Sequence, residues 1–242
     1  VHLSPSACLR RVKQLEEAGV IAQYAALLNP KAVGQHGTSF TIVNLETLIK
    51  SDPLKGIVAL GHTRWATHGA PTEENAHPHA DCTGSLVVIH NGIIENYLEL
   101  KDKLVAAGHK FQSETDTEVV AHLVEEKLKL IGKPGMPDLN EPLLFEATRQ
   151  ALGDIRGAYA LAILWSKAPG VIIAAKTASP LIIGLGDGEN FLASDIPAFL
   201  NYTRKAVFLE DGEMAVLKAD SCSFFNLEGR KVGAFNIVFG VN

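Results

Sequence analysis

Residues 61–69 read GHTRWATHG and hold the densest group of polar side chains in the sequence. They follow an apolar run, so we expect them at the end of a strand, where functional sites are often built. Arg64 could grip a carboxylate through two parallel hydrogen bonds. Thr67 and His68 could add polar contacts, and Trp65 could form an apolar wall. The structural alternative is an ion pair of Arg64 within the protein.

A second polar group, His90-Asn91-Gly92, also follows an apolar run. Glycine lets a backbone N–H approach a ligand closely, and the Asn91 amide supplies a second donor. Two converging donors can stabilise a developing negative charge, as in an oxyanion hole. The alternative interpretation of Asn91 and Gly92 is an ordinary Asn-Gly turn.

A third polar group, SETDTE at residues 113–118, precedes an apolar helical pattern. Asp116 could face inward and bind an ammonium group. Helix capping and the helix dipole explain carboxylates at this position equally well. Thr115 and Glu118 have the spacing of a capping box, which predicts that a helix begins at Thr115.

The sequence predicts neither a metal nor another cofactor. His77 and His79 flank a proline, and no carboxylate stands at ligand spacing from them. The three cysteines, Cys8, Cys82 and Cys222, form no Cys-x-x-Cys pair. An odd number of separate cysteines argues against a metal site and against a disulfide framework.

Strand patterns, then helical patterns, then further strand patterns predict an α+β fold with layered antiparallel sheets. Helices are expected at about 95–107, from 115 and around 143–152, with a Pro/Gly-rich connection at 132–142. The strands are expected at 57–61, 85–90, 158–164, 171–175, 181–185 and 190–193, and a short helix at about 196–200.

Composition narrows the class of protein. The chain has 242 residues, 47% of them hydrophobic, and a formal net charge of −5. The hydrophobic content suffices for a core, and the negative charge argues against a general nucleic-acid binder. The apolar runs are too short to cross a membrane, and no secretory signal is recognisable. We therefore expect a cytoplasmic protein.

The N-terminal segment has its own character. LSPSACLRRVKQLEEAGVI predicts a helix from Ser4 to Gly19, capped by Ser4. Together with the following YAALLNPKAVG, it resembles a fragment of the leucine-responsive (feast/famine) transcriptional regulators over residues 1–45. The resemblance implies a recognition helix followed by strands, but not the two helices that precede it in that family. We assign residues 1–48 to this helix-turn-helix fragment and do not expect DNA binding.

The rest of the chain carries a second resemblance. GHTRWATHGAPTEENAHPH, VVIHNGIIENY, FQSETDTEVVAHLVEE, IRGAYALAIL and ASPLIIGLGDGENFLASD are similar to the glutaminase domain of glucosamine-6-phosphate synthases. These are glutamine:fructose-6-phosphate amidotransferases of the class II, N-terminal-nucleophile type. The similarity covers about residues 50–235, and we assign 49–242 to this domain. It implies an αββα sandwich that hydrolyses glutamine and passes ammonia to a separate sugar-phosphate isomerase domain.

The resemblance also implies roles for individual residues. Asn91 and Gly92 correspond to the oxyanion hole, and Trp65 corresponds to the gate of an ammonia channel. The α-carboxylate of L-glutamine or L-glutamate is held by an arginine and the α-ammonium by an aspartate. The implied substrate-binding residues are Arg64, Thr67, His68 and Asp116.

Two family motifs do not occur in these 242 residues: the N-terminal Cys-Gly-Ile that supplies the nucleophile, and an Arg-Gly-Tyr-Asp-Ser segment. Cys8, Cys82 and Cys222 do not match the family's position, so we expect little glutaminase activity from the chain as written. The isomerase domain is also outside the sequence, and the expected partners include a second copy of the chain in a homo-oligomer. Two alternatives stay open: an amino-acid-responsive regulator, and an artefactual fusion of two reading frames.

Overall fold

The computed structural model describes residues 38–39, 56–62, 72, 74–132, 140–233 and 236–238. Its helices are α1 (Tyr97–Ala106), α2 (Glu118–Ile131) and α3 (Asn140–Leu152). Its strands are β1 (Thr38–Ser39), β2 (Val58–Ala59), β3 (His79–Ala80), β4 (Leu86–Ile94), β5 (Gly157–Trp165), β6 (Ile172–Thr177), β7 (Ile182–Leu185), β8 (Asn190–Ala193), β9 (Lys205–Phe208), β10 (Glu213–Leu217), β11 (Cys222–Asn226), β12 (Lys231–Val232) and β13 (Asn236–Val238). A 3₁₀ turn spans Ile196–Ala198.

Two antiparallel sheets organise these strands. The main sheet has seven strands in the order β12-β11-β10-β6-β5-β4-β3, and the second has four in the order β13-β9-β7-β8. β1 and β2 form a separate parallel pair. The longest pairing joins β4 to β5, from Leu86 opposite Trp165 to Ile94 opposite Gly157.

The main sheet packs against the helices on one face. Alternate residues of a strand point to opposite faces, so Leu86, Val88 and Ile94 of β4 face the helical layer together. They share a core with Val120 and Val124 of α2, and all five side chains are buried. The apolar stripe of α2 and the alternation of β4 therefore account for this layer.

A second core lies between the two sheets. Ala160, Ala174 and Ala215 of the main sheet contact a group that includes Ile183 of β7 and Val207 of β9. The described residues thus form a helical layer, the main sheet and the second sheet, which confirms the predicted α+β fold with layered antiparallel sheets. Of residues 1–48, assigned to the helix-turn-helix fragment, the structure describes Thr38 and Ser39 of β1, and the predicted helix from Ser4 to Gly19 lies outside the described residues. No helix in the described part of the chain is long and apolar enough to cross a membrane.

Several predicted element ends need correction. The strand predicted at 85–90 continues to Ile94, because β5 pairs with it along its whole length. The predicted 132–142 connection is partly wrong, since α3 begins at Asn140. Pro142 fits there because a first-turn residue has no N–H partner within its helix.

Candidate active site

Asn91 and Gly92 lie inside β4, so the alternative interpretation as a turn is wrong. Asn91 stands opposite Ala160 and Gly92 opposite Tyr159 in the ladder. Gly92 has a φ of +134°, and a Cβ atom built on it would lie 2.0 Å from the carbonyl oxygen of Ala158. Only glycine allows this close approach of two backbones, which explains the residue type without reference to a ligand.

A cavity of about 270 Å³ opens beside Asn91. It is slightly smaller than the roughly 300–1,000 Å³ usual for small-molecule sites, which suits a small substrate. Apolar residues from β5 and the second sheet form much of its wall. Its lining residues are Gly61, His62, Ile89, His90, Asn91, Ala160, Leu161, Ala162, Leu181, Leu192, Ala193 and Ser194.

The Asn91 side chain is oriented by a histidine. His62 Nε2 lies 2.7 Å from Asn91 Oδ1. An amide oxygen can only accept, so the His62 N–H donates and the Asn91 NH₂ is the donor end of the side chain. His62 belongs to the GHTRWATHG motif, but nothing in the local sequence indicates this contact with a residue 29 positions away.

Asp116 lies close to the end of the same strand. The Ile94 N–H donates to Asp116 Oδ2 at 2.8 Å, and His90 Nδ1 is 4.0 Å from that oxygen. The carboxylate is buried. Ile94 is about 7 Å along the strand from Gly92, a separation comparable with the length of a glutamine side chain. The structure therefore brings the second and third polar groups of the sequence together.

The Asn91 side chain and the Asp116 carboxylate nevertheless lie on opposite sides of β4. His90 faces the helical layer with Asp116, whereas the Asn91 side chain faces the second sheet, where the cavity lies. Asp116 is not among the described residues that line the cavity. Along β4, Gly92 lies between Asn91 and Ile94, the residue whose N–H binds Asp116.

Thr117 orients two of the histidines near Asp116. Its Oγ1 lies 3.0 Å from His77 Nε2 and 3.0 Å from His90 Nδ1. The other ring nitrogen of His90 faces the carbonyl oxygen of Ala158 at 3.4 Å. Burial lowers the pKa of His90 more than the neighbouring Asp116 carboxylate raises it, so the ring is neutral at pH 7. Thr117 was not predicted as a functional residue.

Glu118 fixes the segment before α2, but not as the capping box predicted. Its carboxylate accepts the N–H groups of Gln112 and Ser113 at 2.7 and 2.6 Å, and the Ser113 hydroxyl at 2.6 Å. Thr115 Oγ1 instead lies 3.0 Å from His79 Nε2. The helix begins at Glu118 because the preceding residues fold back over its carboxylate.

Hydrogen bonding outweighs burial at Glu118. Burial alone would raise the pKa of this carboxyl, but hydrogen bonds from His122, Ser113 and the N–H groups of Gln112 and Ser113 lower it to about 2. The carboxylate is therefore charged at pH 7, although its residue is buried.

Neither described cysteine has the environment of an activated nucleophile. Burial raises the pKa of Cys222 to about 12, and partial desolvation of the thiol raises that of Cys82 although the residue is exposed, so both are protonated at neutral pH. Neither of them lines the cavity in the described part of the chain. Cys8 lies outside the described residues.

Four predicted site residues, Arg64, Trp65, Thr67 and His68, also lie outside the described residues. The two residues just before this segment, Gly61 and His62, line the cavity. The first two residues of the predicted carboxylate-binding motif therefore form part of the cavity wall.

Two family models match the sequence. A glutamine amidotransferase domain matches residues 62–201, which include every predicted site residue. A winged helix-turn-helix DNA-binding model matches residues 1–22, in agreement with the regulator-like fragment predicted there.

Two similar proteins are longer than this chain. The glutamine–fructose-6-phosphate aminotransferase (isomerizing) of Thermus thermophilus is 47% identical over 221 residues, 91% of this chain and 34% of that protein. The enzyme of the same name from Pyrococcus horikoshii is 54% identical over 167 residues, 69% of this chain and 26% of that protein. The chain thus spans about a third or less of the length of these relatives.

Two solved structures share the fold. Glutamine phosphoribosylpyrophosphate amidotransferase from B. subtilis, complexed with ADP and GMP, is 30% identical with a TM-score of 0.52. An allosteric regulatory enzyme of purine biosynthesis is 29% identical with a TM-score of 0.53. Each similarity covers 69% of this chain and 34% of the other.

Proposed function

The chain belongs to the glutamine amidotransferase domain family, and we propose that it is the glutaminase part of a glutamine:fructose-6-phosphate aminotransferase. The observation that carries this proposal is the Asn91-Gly92 pair in β4, with the Asn91 amide oriented by His62 at the wall of a small cavity. The two long relatives described above support the same reaction.

Glutamine hydrolysis begins when a thiolate attacks the side-chain amide carbon. The carbonyl oxygen then becomes an oxyanion, which the Asn91 NH₂ and the Gly92 N–H stabilise. Collapse of this intermediate breaks the carbon–nitrogen bond and releases ammonia, which takes a proton as it leaves. Water then hydrolyses the thioester to glutamate and restores the thiol.

The remaining site residues position the substrate. Arg64 binds the α-carboxylate, with Thr67 and His68 beside it, and Asp116 binds the α-ammonium group. What supports the Asp116 assignment is its place beside β4, where its carboxylate accepts the N–H of Ile94, two residues after Gly92. Trp65 gates the path by which ammonia leaves.

The partner that uses the ammonia is a sugar-phosphate isomerase domain. The greater length of the relatives supports such a partner. We also place the protein in the cytoplasm, where the free thiols of the two described cysteines, Cys82 and Cys222, stay reduced.

The test replaces residues 1–50 with a family N-terminal segment that begins Cys-Gly-Ile and contains Arg-Gly-Tyr-Asp-Ser. The 242-residue chain should release ammonia from glutamine at close to the background rate, because neither Cys82 nor Cys222 lines the cavity. The grafted protein should be active, and Asn91→Ala in it should lower kcat by about 10²–10³-fold. The exposed Asn201→Ala is the matched control and should leave kcat unchanged.

Two results would contradict the proposal. A graft that folds but releases no ammonia would show that the Asn91-Gly92 site is not competent. Strong glutaminase activity in the original chain that survives Cys8→Ser would show that the nucleophile has been wrongly placed. Calorimetry adds a separate check, since Arg64→Ala should abolish any binding of glutamine.

A further inference from the structure

A cluster of four potential metal ligands lies outside the cavity, on the side of the main sheet covered by helices. Cys82 is in the turn between β3 and β4, and His109 follows α1. His122 and Glu125 are one turn apart on α2. One atom from each of the four side chains, Cys Sγ, two His Nδ1 and a Glu carboxylate oxygen, lies within 4.8 Å of all the others.

Five of the six distances between these four atoms are close to those of a tetrahedral site. Cys82 Sγ lies 3.5 Å from His109 Nδ1 and 3.4 Å from His122 Nδ1. The two nitrogens are 3.4 Å apart, and they lie 3.0 and 3.3 Å from Glu125 Oε2. Ligands of a tetrahedral Zn²⁺, at about 2.0–2.1 Å for nitrogen and about 2.3 Å for sulfur, stand about 3.3 Å (N–N) and about 3.6 Å (S–N) apart.

Hydrogen bonds at Nε2 hold the rings of His109 and His122 in an orientation that suits metal binding through Nδ1. His109 Nε2 is 3.0 Å from the Glu126 carboxylate, and His122 Nε2 is 3.4 Å from that of Glu118. Each Nε2–H therefore donates to a carboxylate, which leaves the Nδ1 of a neutral ring with a bare lone pair. Carboxylate–histidine pairs of this kind orient metal-binding imidazoles in known metal sites.

The other two ligands are also held in place. Glu125 Oε1 accepts a hydrogen bond from Lys129, and Oε2 accepts the Cys82 N–H at 3.1 Å. The turn that carries Cys82 is closed by Asp81, which accepts the N–H groups of Ser85 and Leu86.

Because the site is buried, bringing these four polar groups together without a cation is unfavourable in free energy. His109, His122 and Glu125 are at most 5% exposed. Two imidazole nitrogens, a sulfur and a carboxylate oxygen thus converge in a site with little access to water. Cys82 is exposed, so an ion can enter from the surface.

We propose that Cys82, His109, His122 and Glu125 bind one Zn²⁺ ion in a structural site. The mixed sulfur, nitrogen and oxygen donors suit a borderline-soft divalent ion, and four protein ligands leave no position for a substrate. The proposal departs from the expectation of no metal, which rested on local spacing. These ligands come from three separate segments, and only His122-x-x-Glu125 is close in sequence.

The site would clamp the segment that carries Asp116. This segment runs between His109 and α2, and the metal would hold both of its ends to the turn before β4. The metal site does not depend on the proposed glutaminase reaction, because none of its four ligands lines the cavity.

The test uses the full chain with Cys8→Ser and Cys222→Ser, in which Cys82 is the remaining cysteine. Titration with Co²⁺ should give one equivalent of binding, the visible bands of a tetrahedral cobalt ion and a thiolate-to-cobalt charge-transfer band. Cys82→Ser should remove the charge-transfer band and weaken Zn²⁺ binding at least about 10-fold in competition with a chelator. Because Cys82 is exposed, this variant should fold.

A second pair of variants tests the orienting carboxylates. Glu126→Gln should weaken Zn²⁺ binding by about 10–100-fold, as expected for a residue that orients a ligand. The matched control, Asp102→Asn on the exposed side of α1, should bind Zn²⁺ like the parent. Zn²⁺ should raise the unfolding temperature of the parent and of the control more than that of Cys82→Ser.

Absence of tetrahedral cobalt bands in the parent would overturn the proposal and leave a hydrogen-bonded cluster without a metal. Binding with the same affinity in Cys82→Ser and Glu126→Gln would also overturn it, because the ion would then lie elsewhere.

Discussion

At the scale of single residues, the backbone geometry alone favours a glycine at position 92. Its φ is positive, and a Cβ atom added to it would lie 2.0 Å from the Ala158 carbonyl oxygen, so every other residue type would be strained there. The sequence predicts the same glycine from its donor N–H alone. The sequence does not reveal that contact with β5 requires a glycine at this position, because β5 is distant from Gly92 along the chain.

Gly92→Ala should lower the free energy of unfolding by about 2–4 kcal/mol, since it combines strain at positive φ with a backbone clash. Gly108→Ala is the matched control, because Gly108 also has a positive φ but nothing lies within 4 Å of its added Cβ. It should cost only about 1–2 kcal/mol. Urea unfolding of both variants measures the difference, and equal losses would show that the clash is relieved by a small shift of β5.

Glu118 should make stability depend on pH. Its pKa of about 2 in the folded protein is below the ordinary 4.5. Its contribution is therefore complete above about pH 4.5 and is lost as the pH falls toward 2. At pH 7 the contribution is up to about 3 kcal/mol.

Urea unfolding of the parent and of Glu118→Gln, with EDTA present throughout, measures this contribution. The difference in unfolding free energy should be largest near neutral pH and should shrink between about pH 4.5 and about pH 3. A difference that does not change with pH would contradict the lowered pKa of Glu118.

At the scale of elements, the apolar periodicity predicted most of the described helices and strands. The helix expected at 95–107 is found at 97–106, and the strand expected at 190–193 has those bounds. The predicted start of α2 was wrong, because the Glu118 carboxylate accepts hydrogen bonds from residues 112 and 113 and not from Thr115. Contacts such as His62 with Asn91 join separate elements, and local patterns carry no information on them.

The threonine before α2 offers a test at this scale. Thr117→Val removes the hydroxyl that His77 and His90 share and leaves two buried ring nitrogens without it. We expect a loss of about 1–3 kcal/mol in the free energy of unfolding. Denaturant unfolding measures it.

Thr148→Val is the matched control. Thr148 is also buried, but its hydroxyl has no hydrogen-bond partner among the described residues. The variant should therefore be as stable as the parent or more stable. Equal destabilisation by the two substitutions would argue that side-chain packing, and not the shared hydroxyl, matters at Thr117.

At the scale of the whole molecule, the order of strand and helix patterns predicted the layers but not the membership of each sheet. After β6 the chain leaves the main sheet, forms β7, β8 and β9 in the second sheet, and returns with β10. Strands of both sheets have similar apolar patterns, so the sequence does not distinguish them. The cavity lies where the two sheets meet, which is why its wall could not be predicted.

The pairing of β4 with β5 also sets an order of events during synthesis. All three described helices lie between these two strands, so local contacts can form them early, whereas the central pairing must close a long loop. The cavity needs side chains from β4, β5 and β8 at once. A nascent chain that ends before β5 therefore has helices but no binding site, and its β4 edge is open to aggregation until the partner strand emerges from the ribosome.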